Sequence, residues 1–179
     1  MIKNRARIAA NGGTVTTSVL IYMALHDDEK LHFGKKRLDA ITNRVTAYSE
    51  DINHSAEKFI AYRDQLDACG IDFRLKRDFV RALQKGLKYT GKQENTGAEA
   101  GIEATYTLIL WALHDLYGFG RERLRRIQQK IKDYAWYIRA GDVHVLEYMK
   151  CLACECGQQY QALTGYEKEH GEIHIYGEE

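Results

Sequence analysis

Apolar positions recur at helical spacing along most of this chain. Leu38, Ile41, Val45, Tyr48 and Ile52 follow one another at intervals of 3, 4, 3 and 4 residues, and Leu124, Ile127, Ile131, Tyr134 and Ile138 repeat the same intervals. Such a seam keeps one stripe of a helix turned towards a partner helix. Punctuation between apolar runs divides the chain further. Residues 1–13 read as a basic, mobile lead-in ending at Asn11-Gly12-Gly13, and a threonine-rich start at Thr14 caps a first helix running to about His26. The second helix starts near Lys35. Asn53 or Ser55 caps a third, which Gly70 closes. A fourth helix is expected over 72–89, a linker over 90–97, a fifth helix over 98–116, a sixth after Tyr117-Gly118-Phe119-Gly120, and a seventh over 143–163. In the remaining tail, Ile173-His174-Ile175-Tyr176 suits a short strand or an extended arm.

The two seams belong to a longer internal echo. Ala24-Leu25-His26-Asp27 recurs as Ala112-Leu113-His114-Asp115, and Phe33-Gly34-Lys35-Lys36-Arg37-Leu38 as Phe119-Gly120-Arg121-Glu122-Arg123-Leu124. Tyr62 aligns with Tyr148, and Cys69-Gly70 with Cys156-Gly157. The first corner carries two extra residues between its Asp and its Phe. The expected architecture is therefore all-α, a single domain over 1–179 of about seven helices, built from two pseudo-symmetric units at 14–70 and 101–157. An acidic tail over 164–179 follows. In each corner Gly would close one helix and Phe would insert into the core.

Composition agrees with this pattern. The chain has 179 residues, 45% of them hydrophobic, and no proline. Average usage is about 5% proline, and long helices tolerate none in their interiors. No secretory h-region follows Met1-Ile2-Lys3-Asn4-Arg5, and no apolar stretch reads as a membrane span. The expected location is the cytoplasm, where the four cysteines would be reduced.

Charge is nearly balanced, with a formal net of +1, but it is unevenly placed. Bases gather near the start, over 74–92 and over 121–132. In the fourth helix Arg74, Arg77, Arg81, Lys85 and Lys88 make one stripe. Such a stripe suits a phosphate backbone; an equally plain alternative is a solvated helix face. In the sixth helix Arg121, Arg125 and Lys132 share one flank, with Arg126 and Lys130 further round, all away from the apolar seam. Gln128 and Gln129 add hydrogen-bonding groups. The tail acids Glu167, Glu169 and Glu172, with Tyr176, are candidates for contacting a cationic partner.

Catalytic chemistry is poorly supported. The paired His-Asp dipeptides lack a convincing further set of metal ligands, and His at a helix C-terminus followed by a capping Asp explains them. Cys151, Cys154 and Cys156 would not all converge on one zinc from within a helix. Gly118-Phe119-Gly120 lacks the strand and third glycine of a dinucleotide loop. Trp111 and Trp136 sit at helical spacing and suit the core or an interface better than a stacking platform. Tyr89, Tyr117 and Tyr166 are freer to stack. No enzyme activity, cofactor or resident metal is expected.

The segment from Ala112 to Leu124, Ala-Leu-His-Asp-x-x-Gly-Phe-Gly-x-x-Arg-Leu, resembles one common in small proteins of phages and mobile elements from Firmicutes. The likeness is degraded in the first copy, where Leu31-His32 replaces Tyr-Gly. Such proteins include inhibitors of host defence, among them anti-CRISPR proteins directed at type II effector nucleases. The resemblance implies a non-enzymatic inhibitor that contacts a bacterial effector nuclease, its guide complex or DNA. The alternatives are a phage nucleic-acid-binding accessory protein in replication, recombination or transcription, and a helical assembly protein that forms a homodimer.

Overall fold

The computed structural model describes residues 2–71, 77–87 and 91–175, with the side chains of 2, 3, 77–79, 85 and 86 outside the description. The fold is all-α. Among the described residues eight helices follow in order: α1 (Ile2–His26), α2 (Lys35–His54), α3 (Ala56–Ala68), α4 (Arg77–Leu87), α5 (Lys92–Tyr117), α6 (Arg121–Ala140), α7 (Val145–Cys156) and α8 (Gln161–His170). No strand occurs among the described residues, and 171–175 run without helix after α8.

The two longest helices, α1 and α5, lie side by side at the centre. Their glycines explain how closely. A Cβ on Gly97 would run into the carbonyl of Ala6, one on Gly101 into that of Ala10, and one on Gly13 into that of Ala98. Both helices therefore run in the same direction with backbones in contact, a spacing that only small residues permit. This corrects two expectations. In place of a mobile lead-in, 2–13 are helical, and in place of a linker, 92–97 are helical, with Gly12, Gly13 and Gly97 inside the helices. Beyond this crossing Leu20, Ile21, Leu25, Ile102, Ile109 and Leu113 are fully enclosed.

α1 is also long and apolar enough over Asn4–His26 to cross a membrane by length and composition. No apolar stretch was expected to reach that length. In this fold the helix is instead largely buried against its neighbours.

Both corners close as their residues suggest. After α5, Gly118 takes φ +59 and the Phe119 amide donates to the Leu113 carbonyl. After α1, the Phe33 amide donates to the Leu25 carbonyl, with His32 at φ +41 in the longer turn. Phe33 and Phe119, each 2% exposed, meet edge to face at 6.1 Å. Burying each ring is worth about 2 kcal/mol. The α2 seam buries Leu38, Ile41 and Tyr48, and the α6 seam buries Leu124, Ile127 and Ile131.

The expected seventh helix is two. Gly157, at φ +62, closes α7, with Gln158 donating back to the Leu152 carbonyl. α8 then occupies the first part of the expected acidic tail.

Candidate functional site

The side chains of α6 divide into two sets beside its buried seam, and they meet different surroundings. One set reaches across to the loop after α1. Arg126 places Nε 2.8 Å from Asp28 Oδ2 and donates from Nη2 to Oδ1 at 3.2 Å. Asp28 is 3% exposed and also accepts the Lys30 amide, so its charge is held from two sides. Lys130 Nζ donates to the Asp27 carbonyl at 2.8 Å and pairs with its carboxylate at 3.4 Å. Tyr134 donates its hydroxyl to Asp27 at 2.6 Å. Burial, and then the Asp27 carboxylate, push that hydroxyl far above its usual pKa, so it stays a donor.

The other corner carries matching contacts. Tyr48 donates to Asp115 at 2.6 Å, and Arg44 pairs with the same carboxylate at 3.2 Å. Each Asp that follows a corner His is thus held by the tyrosine and the base of the other half. Burial and then Asp115 raise the Tyr48 hydroxyl in the same way. The two His-Asp pairs are structural ties. Among the described residues no cluster of three His, Cys, Asp or Glu could hold a metal.

The remaining flank of α6 meets solvent. Arg121, Arg125, Gln129, Lys132 and Trp136, at intervals of 4, 4, 3 and 4, lie along one face, and Arg139 follows three residues on. All six are exposed. Their four cations have no acidic partner among the described residues. The nearest acids on the helix, Glu122 and Asp133, lie round the edge, where Asp133 accepts from Gln129 at 2.9 Å. Gln128 faces inward and is 9% exposed. α4 packs beside α6. The Arg121 side chain lies against Gly70, just ahead of α4 in the chain.

The expected cationic residues therefore separate. Arg121 and Arg125 stay available, whereas Arg126 and Lys130 are engaged inside the molecule. On α4, Arg81 is exposed. Arg77 and Lys85 are within α4, but their side chains lie outside the described set, and Arg74 and Lys88 lie outside the described residues altogether.

Trp136, expected in the core or an interface, is not in the core. It is 58% exposed and stands edge-on to Tyr137 at 5.4 Å. Trp111, by contrast, stacks on Tyr62 at 5.4 Å. Tyr117 is held too: its hydroxyl donates to the Arg37 carbonyl and its ring meets Phe33. Tyr166 is exposed and stacks on His170, while Tyr89 lies outside the described residues.

The tail acids are also partly engaged. Lys150, 8% exposed on α7, donates to Glu167 at 3.0 Å and Glu172 at 2.6 Å. The hydrogen bond to Glu172, and then that to Glu167, raise the lysine pKa, and Lys150 lowers that of Glu172. Only Glu169 of the expected acidic contacts remains exposed and unpaired among the described residues. Tyr176 lies outside them.

One cluster has the connectivity of a nucleophile, base and orienter. Cys156 Sγ is 3.3 Å from His26 Nδ1, and His26 Nε2 is 2.5 Å from Glu155. Three features disfavour a thiolate at Cys156. Cys156 is 2% exposed, burial and then Glu155 raise its thiol pKa, and the end of a helix disfavours a thiolate. Cys151 is raised to about 12 by burial and by its hydrogen bond to Glu155. A groove of about 760 Å³ between α1, the end of α4, α7 and α8 is lined in part by Val15, Leu87, Leu146, Met149 and Tyr166.

No family model, curated protein or solved structure matches this chain.

Proposed function

We propose that this chain is a non-enzymatic nucleic-acid-binding protein that holds a phosphate backbone on the exposed flank of α6, alongside α4. The observation that carries this is the line of Arg121, Arg125, Lys132 and Arg139, four exposed cations with no acid among them. Charge left unpaired on a folded helix suits a polyanion, because each phosphate contact releases counterions on binding. The reading fits an accessory role in phage replication, recombination or transcription, carried out in the cytoplasm. The recurring ties at Asp27 and Asp115 support an origin by duplication of one helical unit, with only the second copy adapted to an anion.

Inhibition of a bacterial defence nuclease, of the anti-CRISPR kind, is a second form of the same proposal. The Lys150 clamp on Glu167 and Glu172 favours a version in which the protein engages guide or target nucleic acid, rather than one in which the tail fills a cationic channel.

The test is the anisotropy of a labelled 20-nucleotide DNA, with and without its complement, at about 50 and 200 mM salt. Four phosphate contacts should weaken binding by about 50- to 150-fold between the two conditions. No binding of either form at the lower salt overturns the reading and leaves a protein partner or self-association as the alternatives.

A further inference from the structure

We infer, resting on the nucleic-acid reading above, that the ligand is single-stranded and that Trp136 is the platform on which one of its bases stacks. Trp136 shares its flank with Arg121, Arg125, Lys132 and Arg139, which places an aromatic face within a cationic track, between Lys132 and Arg139. At about 1.5 Å of rise per residue, the track runs about 22 Å from Arg121 to Trp136, with cations about 6 and 10 Å apart. That is the reach of a short oligonucleotide.

Three observations favour an unpaired base over other occupants. First, an indole left 58% exposed has not been used by the core, although fully apolar positions on the same helix have. Second, Tyr137 stands edge-on to the indole with an interplanar angle of 74°, which limits how the ring can turn. Third, the ring's helical neighbours Lys132, Asp133 and Arg139 are charged and exposed, so an apolar protein surface would have to strip water from them to reach it. A strand of nucleic acid satisfies both kinds of group together: phosphates meet the cations and a base face meets the indole. Duplex DNA cannot do this without unstacking, because its base faces are already covered. Base–aromatic stacking tolerates any sequence, so binding should show little sequence preference.

The chain has two tryptophans, and Trp111 is stacked inside on Tyr62, so intrinsic fluorescence can report on Trp136. The full chain and the Trp136→Phe variant are each titrated with unlabelled dT20, and with a 20-base-pair duplex, at about 50 mM salt. The inference expects dT20 to quench the wild-type signal and leave the variant signal nearly unchanged. It also expects Trp136→Ala to weaken dT20 binding about tenfold while duplex affinity stays within twofold. An exposed site should not disturb folding, and Trp136→Phe, which keeps a ring, should recover most of the affinity. Binding of dT20 with no Trp136 quenching, or a duplex bound as tightly as dT20, overturns the platform and leaves the phosphate contacts standing. Binding of neither overturns the nucleic-acid reading itself.

Discussion

Helices α2 and α6 occupy matching places after the two corners, yet their outer flanks differ beyond the first position. Along α6 the flank reads Arg121, Arg125, Gln129, Lys132, Trp136 and Arg139; along α2 the matching positions are Lys35, Asp39, Asn43, Thr46, Glu50 and Asn53. Two of the α2 charges are also engaged at the surface. Lys35 pairs with Asp39 at 3.1 Å and reaches the Gly157 carbonyl, and Gln158 donates to Asp39 at 3.0 Å, which holds the Asp39 carboxyl below its usual pKa. Their seams and their tyrosine–aspartate ties are alike. A shared scaffold with divergent flanks separates what holds the molecule together from what meets a partner.

The largest effect is expected at a tie without a counterpart. Arg126 aligns with Ala40, so only the second half sends an arginine to a buried aspartate. Arg126→Ala strands Asp28 and should cost about 3 kcal/mol in urea unfolding. An unchanged midpoint would mean that Asp28 finds water or another donor, and that this asymmetry carries no stability.

Next comes the flank itself. Reversing Arg121, Arg125 and Lys132 to Glu should lower DNA affinity at least 100-fold. Asn43→Glu with Thr46→Glu on α2 should change it less than about twofold. Equal losses from the two variants, measured by anisotropy at low salt, would erase the functional distinction between the helices.

Tyr48→Phe and Tyr134→Phe sharpen the common part. Each removes one hydrogen bond to a carboxylate and should cost about 1.5–2 kcal/mol. Costs that differ by more than about 1 kcal/mol would show that the two corners are not equivalent supports.

The smallest effect concerns the corner histidines. His26 carries Glu155 on Nε2, whereas the His114 ring lies beside Trp111 at 5.3 Å. The hydrogen bond from His26 lowers the pKa of Glu155. Its stabilisation is therefore complete above the ordinary carboxylate range and is lost as pH falls through the lower folded value. Glu155→Gln should flatten the stability curve below about pH 4, by less than about 1 kcal/mol because the carboxylate is half exposed. Identical acid curves for variant and wild type would remove this difference between the corners.

Much of the scaffold is legible in residue order because seams and corners obey local rules. The 3-4-3-4 intervals and the Phe after each corner need only helical geometry and burial. Glycine does not read so simply. Gly13 and Gly97 look like breaks, yet they sit inside helices because another backbone needs their missing Cβ; Gly157, expected inside the seventh helix, is where a helix ends. Close approach and left-handed backbone both select glycine, and only the partner chain segment tells them apart. Arg126 and Lys130 likewise look as available as Arg125, since their acids lie about a hundred residues away in the chain. The Lys150 clamp has the same character. Trp136 was readable: its interval from Lys132 puts it on the cationic flank, away from the seam.

The backbone contact between α1 and α5 has a consequence for how the protein is made. About 90 residues separate the end of one helix from the end of the other, and at about 5–20 residues per second a ribosome needs about 5–20 s to cover them. Throughout that interval the apolar stretch over Asn4–His26 has no Gly97 or Gly101 to dock against. The nascent chain therefore displays, for seconds, a hydrophobic segment whose packing partner has not yet been made.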